Sequence, residues 1–341
     1  MSTTQLKTVG FKPNERNIFF HILTACNLSC RHCYINPAQH GTTMVSRQTM
    51  DDWLRLFHDP DKESNVIFLG GEPTMHPDLA HGIKTARALG YQSITVDTNG
   101  FLFHDLLSRI SPDDAVLSFS LDGPSAEVND PIRGEGVFAT CTENIKKAAA
   151  MGFSISLIYT VSKMNLEQLA QMPKLLAKLK VERFFIQVIG LRGKSVQHGN
   201  NLQLTPEEWL TAIPQTAENA AALGIDVTFP KVFLDKDEKF ECAGNVADNY
   251  FIFPNGRVYR CPLCEDYPLN SMRIENNQLL TNEGLTEDKL FTLEIPEGCV
   301  MNKLLQPGNI TYDDSGHPQH RISCCLLKQK ISPISTNQKT L

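Results

Sequence analysis

Ile18-Phe19-Phe20-His21-Ile22-Leu23-Thr24-Ala25-Cys26-Asn27-Leu28-Ser29-Cys30-Arg31-His32-Cys33 is an apolar run that empties into a cysteine-bearing loop. The run has the character of a buried strand. Behind it, three cysteines spaced CxxxCxxC offer three thiolates and no fourth ligand nearby. A cubane iron–sulfur cluster takes one cysteine per iron, so a set of three leaves one iron open. An open position distinguishes a catalytic metal site from a closed structural one. The competing reading is a zinc knuckle completed by His32. Its weakness is geometric, because His32 and Cys33 are neighbours and neighbouring side chains rarely converge on one tetrahedral ion.

Further along, Val66-Ile67-Phe68-Leu69 runs into Gly70-Gly71-Glu72-Pro73. Paired glycines let the backbone approach a ligand where a Cβ would clash, and a carboxylate with exposed carbonyls at a strand end suits a ligand ammonium group. Gly-Gly-x-Pro is also ordinary turn chemistry. In this order after CxxxCxxC, with Tyr34 following the last cysteine, the segment resembles the radical SAM superfamily. The resemblance implies that Cys26, Cys30 and Cys33 ligate a [4Fe–4S] cluster whose open iron chelates S-adenosylmethionine (SAM). Gly70, Gly71, Glu72 and Pro73 would then orient the SAM amino group. It further implies reductive cleavage of SAM to methionine and a 5′-deoxyadenosyl radical, fed by an electron donor such as flavodoxin or ferredoxin.

Ser120 and Arg133 are candidates for the SAM carboxylate. A guanidinium fork suits that group, although an exposed loop arginine is an equal alternative. Asn99 either meets the cofactor or forms a left-handed Asn-Gly turn. Asp122 contacts ribose or substrate, or shapes the turn before Gly123. Gln187 reaches the adenine edge, or is a core glutamine bonded to backbone. His32 lines the cluster, and Cys141 is a small buried hydrophobe.

From residue 18 to about 190 short apolar runs alternate with amphipathic stretches. Strands are expected at 18–23, 65–69, 92–96, 115–121, 154–161 and 183–189, with helices at 47–58, 78–89, 103–110, 138–151 and 166–179. Gly90 and Gly152 stand where helix C-caps belong. Six βα units in a row imply a parallel sheet with right-handed crossovers. Cys26, Gly70, Asn99, Asp122 and Ser162 all follow strands, at the edge where βα loops build active sites. This favours a curved, open sheet with one shared site over a doubly wound one, and it matches the partial (β/α)6 barrel of the radical SAM core.

A helix opening at Thr205-Pro206 is expected between Leu204 and about Pro230, kinked at Pro214. After Pro230 the βα rhythm stops. Tyr250 to Cys261 reads as a hairpin with Asn255-Gly256 as a type I′ turn. Residues 1–17 are a lead-in, 18–230 the barrel, 231–330 a small cysteine-rich domain and 331–341 a disordered tail. Cys242, Gly256 and Cys261 resemble the opening of the SPASM and twitch extensions. The resemblance implies an auxiliary [4Fe–4S] cluster held by Cys242, Cys261, Cys264 and one of Cys299, Cys324 and Cys325, with Cys324 preferred. A CxxC-x5-C-x3-C cassette is missing, which favours the shorter twitch form with one cluster. A zinc ribbon is the alternative, since CxxC on a hairpin also builds those.

The composition narrows the setting. A net charge of −6 with no basic stripe speaks against a nucleic-acid partner. No apolar run approaches a membrane span, and Met1 to Lys7 lacks a secretory apolar segment. Ten cysteines grouped in two regions of a 341-residue chain fit metal sites in a reducing, cytoplasmic compartment better than a disulfide framework. The expected activity is hydrogen abstraction from a peptide or protein during maturation. A small molecule or cofactor precursor such as a tetrapyrrole is the second substrate class, since the 25 residues before Cys26 cannot form a peptide-recognition domain. The rival of another kind is a non-enzymatic iron–sulfur electron carrier or a zinc-binding regulator, which leaves Gly70 to Pro73 unexplained.

Overall fold

The computed structural model describes residues 6–103 and 105–333. Thirteen strands occur among them: β1 (Lys7–Val9), β2 (Glu15–Leu23), β3 (Glu63–Gly70), β4 (Ser93–Thr98), β5 (Val116–Ser120), β6 (Ile155–Val161), β7 (Arg183–Val188), β8 (Asp226–Pro230), β9 (Asp248–Ile252), β10 (Arg257–Tyr259), β11 (Met272–Glu275), β12 (Gln278–Thr281) and β13 (Lys328–Ile331). They form one sheet in the order β1-β13-β8-β7-β6-β5-β4-β3-β2-β9-β10-β11-β12. Neighbours from β2 to β8 are parallel. β9 runs parallel to β2 on its other side. The sheet is not closed.

The six expected strands form, and a seventh joins them. The stretch read as one helix from Leu204 to Pro230 is the helix Pro206–Ala221 followed by β8. Gly224, at φ +89°, turns the chain out of the helix, and Val227 and Phe229 alternate inward over a run too short to announce itself. The helix opens as expected. Thr205 Oγ1 accepts from Glu208 N at 3.2 Å and Glu208 Oε2 from Thr205 N at 2.7 Å, closing a capping box. The helix expected at 103–110 is a single turn, Leu106–Arg109. The stretch 166–179 begins as a 3-10 helix, with Pro173 standing where the α-helix starts.

The Asn255-Gly256 turn is not type I′. Only Gly256 has positive φ, and the loop is a turn over Pro254-Asn255 with Gly256 as the left-handed residue after it. The two-residue turn with both centres left-handed is Asn276-Asn277, between β11 and β12. Both presumed ends of the chain also take part in the sheet. The lead-in holds β1 and the start of β2, and β1 pairs with β13. Ile331, placed in the disordered tail, is buried in β13, and residues 334–341 of that tail lie outside the described residues. The cysteine-rich segment thus borders the sheet at both edges, through β9 to β12 on one side and β13 on the other.

One face of the sheet is covered by helices. Phe20, Ile22, Val66, Phe68, Val96, Leu117, Phe119, Leu157, Tyr159, Phe184, Ile186, Val227 and Phe229 are buried there. Phe20 packs on Trp53 of the helix Arg47–Phe57. The alternate residues are mostly half-buried: Phe19, Ile67, Asp97, Ser120, Ile158, Phe185, Gln187 and Thr228. A parallel sheet packed on both faces would not alternate in this way. The second face is the hollow of a curled sheet. β13 and β4 stand five strand spacings apart, about 24 Å if flat, yet the charges of Lys328 and Asp97 act on each other.

Candidate active site

The cysteine loop follows β2 and is gripped by the loop after β3. Gly71 N donates to Leu23 O and Glu72 N to Ala25 O, each at 3.0 Å. A Cβ on Gly70 would stand 2.1 Å from Leu23 O, and one on Gly71 2.1 Å from Ala25 O. The two glycines therefore serve contact with the chain leading to Cys26.

Glu72 is fully buried and its carboxylate is occupied. Oε1 accepts from Thr74 N (3.1 Å), Thr74 Oγ1 (2.7 Å) and Thr98 Oγ1 (2.7 Å), and Oε2 accepts from Asn99 N (2.7 Å). Burial raises its pKa against these bonds. The carboxylate expected to meet a ligand ammonium instead ties the β3 loop to the β4 loop. Pro73 begins the buried turn Pro73–Met75. The left-handed residue after β4 is Gly100, not Asn99. Asn99 is free to point its Nδ2 at Asn27 Oδ1 (2.8 Å) and Cys26 Sγ (3.7 Å).

Cys26 Sγ also receives Leu28 N at 3.4 Å, and Cys30 Sγ lies 3.8 Å from Arg133 O. Although Cys26 is the most exposed of the three, desolvation by the surrounding loop, with Glu72, Cys30 and Cys33 nearby, pushes its thiol up to about 11. Burial raises Cys30 as well. Sulfur-only donors that are costly to ionise without a cation, and that already receive N–H groups, fit an iron–sulfur cluster.

Asp122, Arg133 and His32 form one buried ionic group. Asp122 Oδ2 lies 2.6 Å from Arg133 Nε and 3.0 Å from His32 Nε2. Thr160 N donates to Oδ1 at 2.8 Å. Burial alone would raise the Asp122 pKa, but Arg133, His32 and Thr160 outweigh it and hold the carboxyl down to about 2. Arg133 is thus not an exposed loop arginine: it ends the helix Ala126–Arg133 with its charge spent on Asp122. Asn129 and Asn165, both buried, hold the Asp122 backbone. Ser120 and Gln187 lie on the hollow face. The Ser120 hydroxyl has no partner among the described residues, while Gln187 Nε2 donates to Val188 O at 3.0 Å, the backbone-bonded alternative.

In the C-terminal segment, a small recess is walled by Cys242, Cys261, Cys299, Cys324 and Cys325. Cys264 does not line it. It is fully buried beside Glu287, with its thiol in hydrogen-bond contact with that of Cys261. Burial raises Cys242 and Cys299. Within the adjacent pair, the hydrogen bond from Cys325 lowers Cys324. Glu287, fully buried, accepts from Arg260 N (2.6 Å) and Cys261 N (3.0 Å) and so fixes the Cys261 loop. Among the described residues no three His, Cys, Asp or Glu side chains converge on a single-ion site. The donor set, again sulfur around a recess, fits a second cluster.

The loop after β7 joins the two cysteine regions. Lys194 N donates to Cys33 O at 2.8 Å, and the Arg192 guanidinium lies over the Tyr34 ring at 4.8 Å. On its other side Arg192 bonds Pro262 O and Glu265. No local motif marks Arg192, Asn129, Asn165 or Glu287 as site residues; the Glu265 partner of Arg192, for example, lies 73 residues away.

Residues 21–176 match a family model described as the Radical SAM superfamily. The mycofactocin maturase MftC of Mycobacterium ulcerans is 32% identical over 151 residues, which is 42% of this chain and 40% of that protein. The Fe-coproporphyrin III synthase of Methanosarcina barkeri is 28% identical over 222 residues, 62% of this chain and 53% of that protein. The chain spans about half or less of the length of these curated relatives. Among solved structures, Streptococcus suis SuiB bound to precursor peptide SuiA superposes with a TM-score of 0.62 at 14% identity, over 79% of this chain and 64% of that one. Native anSMEcpe with bound AdoMet gives 0.57 at 14% identity, over 85% and 83%. These last two speak for the fold.

Proposed function

We propose, from the premise that residues 21–176 make this chain a member of the radical SAM superfamily, that it abstracts hydrogen from a substrate in peptide or protein maturation. When bound, a [4Fe–4S] cluster and SAM supply a 5′-deoxyadenosyl radical. The chain's own part is to hold Cys26, Cys30 and Cys33 toward that cluster, with Asn99 and Leu28 donating to Cys26 and the Asp122 group packed beside Cys30. Glu72 keeps the β3 and β4 loops at fixed distance, and the carbonyls of Gly70 and Gly71 with Ser120 remain for SAM. The observation that carries the reading is the cysteine loop locked at the C-terminal edge of the parallel strands by the Gly70 to Glu72 segment.

Residues 231–330 would hold one auxiliary cluster in the recess, through Cys242, Cys261, Cys324 and a fourth thiol supplied by Cys299 or Cys325. A low-potential donor of the flavodoxin or ferredoxin type would reduce the first site. All ten cysteines are free, in keeping with a reducing, cytoplasmic setting, and no described helix is long and apolar enough to cross a membrane. Similarity to Fe-coproporphyrin III synthase keeps a cofactor precursor as the second substrate class. Anaerobic reconstitution with SAM and dithionite tests the reading. 5′-Deoxyadenosine should form, and Cys30→Ala should form none while remaining folded. Equal yields from both would refute the site.

A further inference from the structure

The stretch after β7, residues 190–195, is clamped between the two cysteine regions. It is braced on itself: the hydroxyl of buried Ser195 accepts from Arg192 N at 2.8 Å and donates to Gly190 O at 2.8 Å. Gly193, at φ +55°, lies so close to the first cysteine loop that a Cβ would stand 2.5 Å from Cys33 O, and this approach lets Lys194 N reach that carbonyl. Gly193 N donates to Asp266 Oδ2 at 2.8 Å, and the other oxygen of Asp266 accepts from Asn36 Nδ2 at 3.1 Å. Arg192 spans the same gap. Its guanidinium lies over the Tyr34 ring and bonds both Pro262 O and the fully buried Glu265. Tyr34 follows Cys33, whereas Pro262 follows Cys261 and lines the recess. Tyr34 is fixed in turn through its hydroxyl, 2.8 Å from His21 Nε2.

We propose that Arg192 is a positioning residue that makes order in the first cysteine loop depend on a filled recess. The Cys26 end of that loop is gripped by Gly71 and Glu72, but its Cys33 end is held from the β7 stretch and from the turn 261–266. That turn begins at a recess cysteine, so a cluster in the recess restrains it, and a segment bonded to a restrained turn is ordered with it. Arg192 suits the task by shape, because a planar guanidinium can lie flat on a ring while its edge bonds a carbonyl and a carboxylate. Glu265 has no other cation within 4.0 Å among the described residues, so loss of Arg192 leaves a buried carboxylate unmatched. The consequence for the reaction is an order of assembly: the SAM site is complete only once the C-terminal site is loaded. The inference deepens the radical SAM reading and rests on its second cluster.

Hydrogen exchange of the full chain, read by mass spectrometry on residues 34–40, tests this. The variant Cys26→Ala, Cys30→Ala, Cys33→Ala leaves the recess as the one cluster site, so each protein is compared with itself before and after reconstitution with iron and sulfide. Loading should slow exchange in 34–40 about tenfold, within the usual range of coupling between sites. Adding Arg192→Met should remove most of that difference. Lys163→Met, which breaks the Lys163 pair with Glu208 after β6, should leave it intact. If Arg192→Met does not fold, Arg192→Met with Glu265→Gln, which removes both buried charges, takes its place. A general loss of stability would speed exchange in loaded and unloaded protein alike, whereas lost coupling removes the difference between them. Full protection with Arg192 replaced, or exchange in 34–40 that ignores loading, overturns the proposal. Iron content and 5′-deoxyadenosine separate it from the readings beneath it. A triple variant that takes up no iron removes the second cluster and the proposal together, while wild type that still forms 5′-deoxyadenosine leaves the radical SAM reading standing. Coupling observed in a chain whose wild type forms none removes the radical SAM reading alone.

Discussion

Glu72 Oε2 accepts the backbone N–H of Asn99 at 2.7 Å, and the side chain of Asn99 then turns its amide toward the sulfur of Cys26, 3.7 Å away. A carboxylate buried under the site thus sets the position of a donor to a cluster ligand. The same oxygen pair collects Thr74 and Thr98, so two consecutive βα loops share one anchor.

Glu72→Gln should therefore act first on stability. The new amide would face a buried N–H donor from Asn99 or the Thr98 hydroxyl, leaving a donor unpaired at a cost of about 1–3 kcal/mol. A lowered Tm by circular dichroism, with weaker iron retention at the first site, is the expected result. An unchanged Tm would show that the latch does not hold the loops.

Gly71→Val should prevent the first cluster from assembling rather than merely weaken SAM binding. Its Cβ would overlap Ala25 O, one residue before Cys26, at 2.1 Å. Iron content and cluster absorbance after reconstitution report this. A variant with a normal first cluster and only weakened SAM affinity would return Gly71 to a ligand-facing role.

Asp122 should give acid sensitivity with a defined window. Its folded pKa, about 2, lies below the unfolded value of about 4, so its stabilisation is present above pH 4 and is lost as pH falls toward 2. The shift corresponds to about 2 kcal/mol. Asp122→Asn should be less stable at neutral pH, with Arg133 left buried and unpaired, but flatter between pH 5 and 3 in urea titrations. Parallel pH profiles for the two proteins would contradict the assignment.

Cys264 and Cys299 should behave oppositely. With two cubanes the wild type holds about eight irons. Cys264→Ala should keep about eight, since that thiol does not line the recess, whereas Cys299→Ala should fall toward about four, with Cys325→Ala as the comparison if it does not. Iron loss confined to Cys264→Ala would restore the CxxC pair as ligands.

The sequence alone determined the parallel α/β sheet and the edge on which its site lies. Strand periodicity, glycine caps and the placement of Cys26, Gly70, Asn99 and Asp122 after strands are local signals, carried by residues within a few positions of one another. β8 escaped because five residues behind a strong helix give too short a period to read. Side-chain direction was decided only by tertiary structure. Glu72 and Arg133 are chemically apt for a ligand, yet Asn99, Thr98 and Asp122 reach them first, and those partners are brought in by other strands. Cys264 fits a metal motif by spacing and its thiol meets that of Cys261, while the recess beside them also gains distant Cys299 and Cys325 on its wall. Spacing along the chain states which groups are available. Which of them remain unpaired is settled by competition among groups far apart in sequence, and that competition exists only in the folded chain.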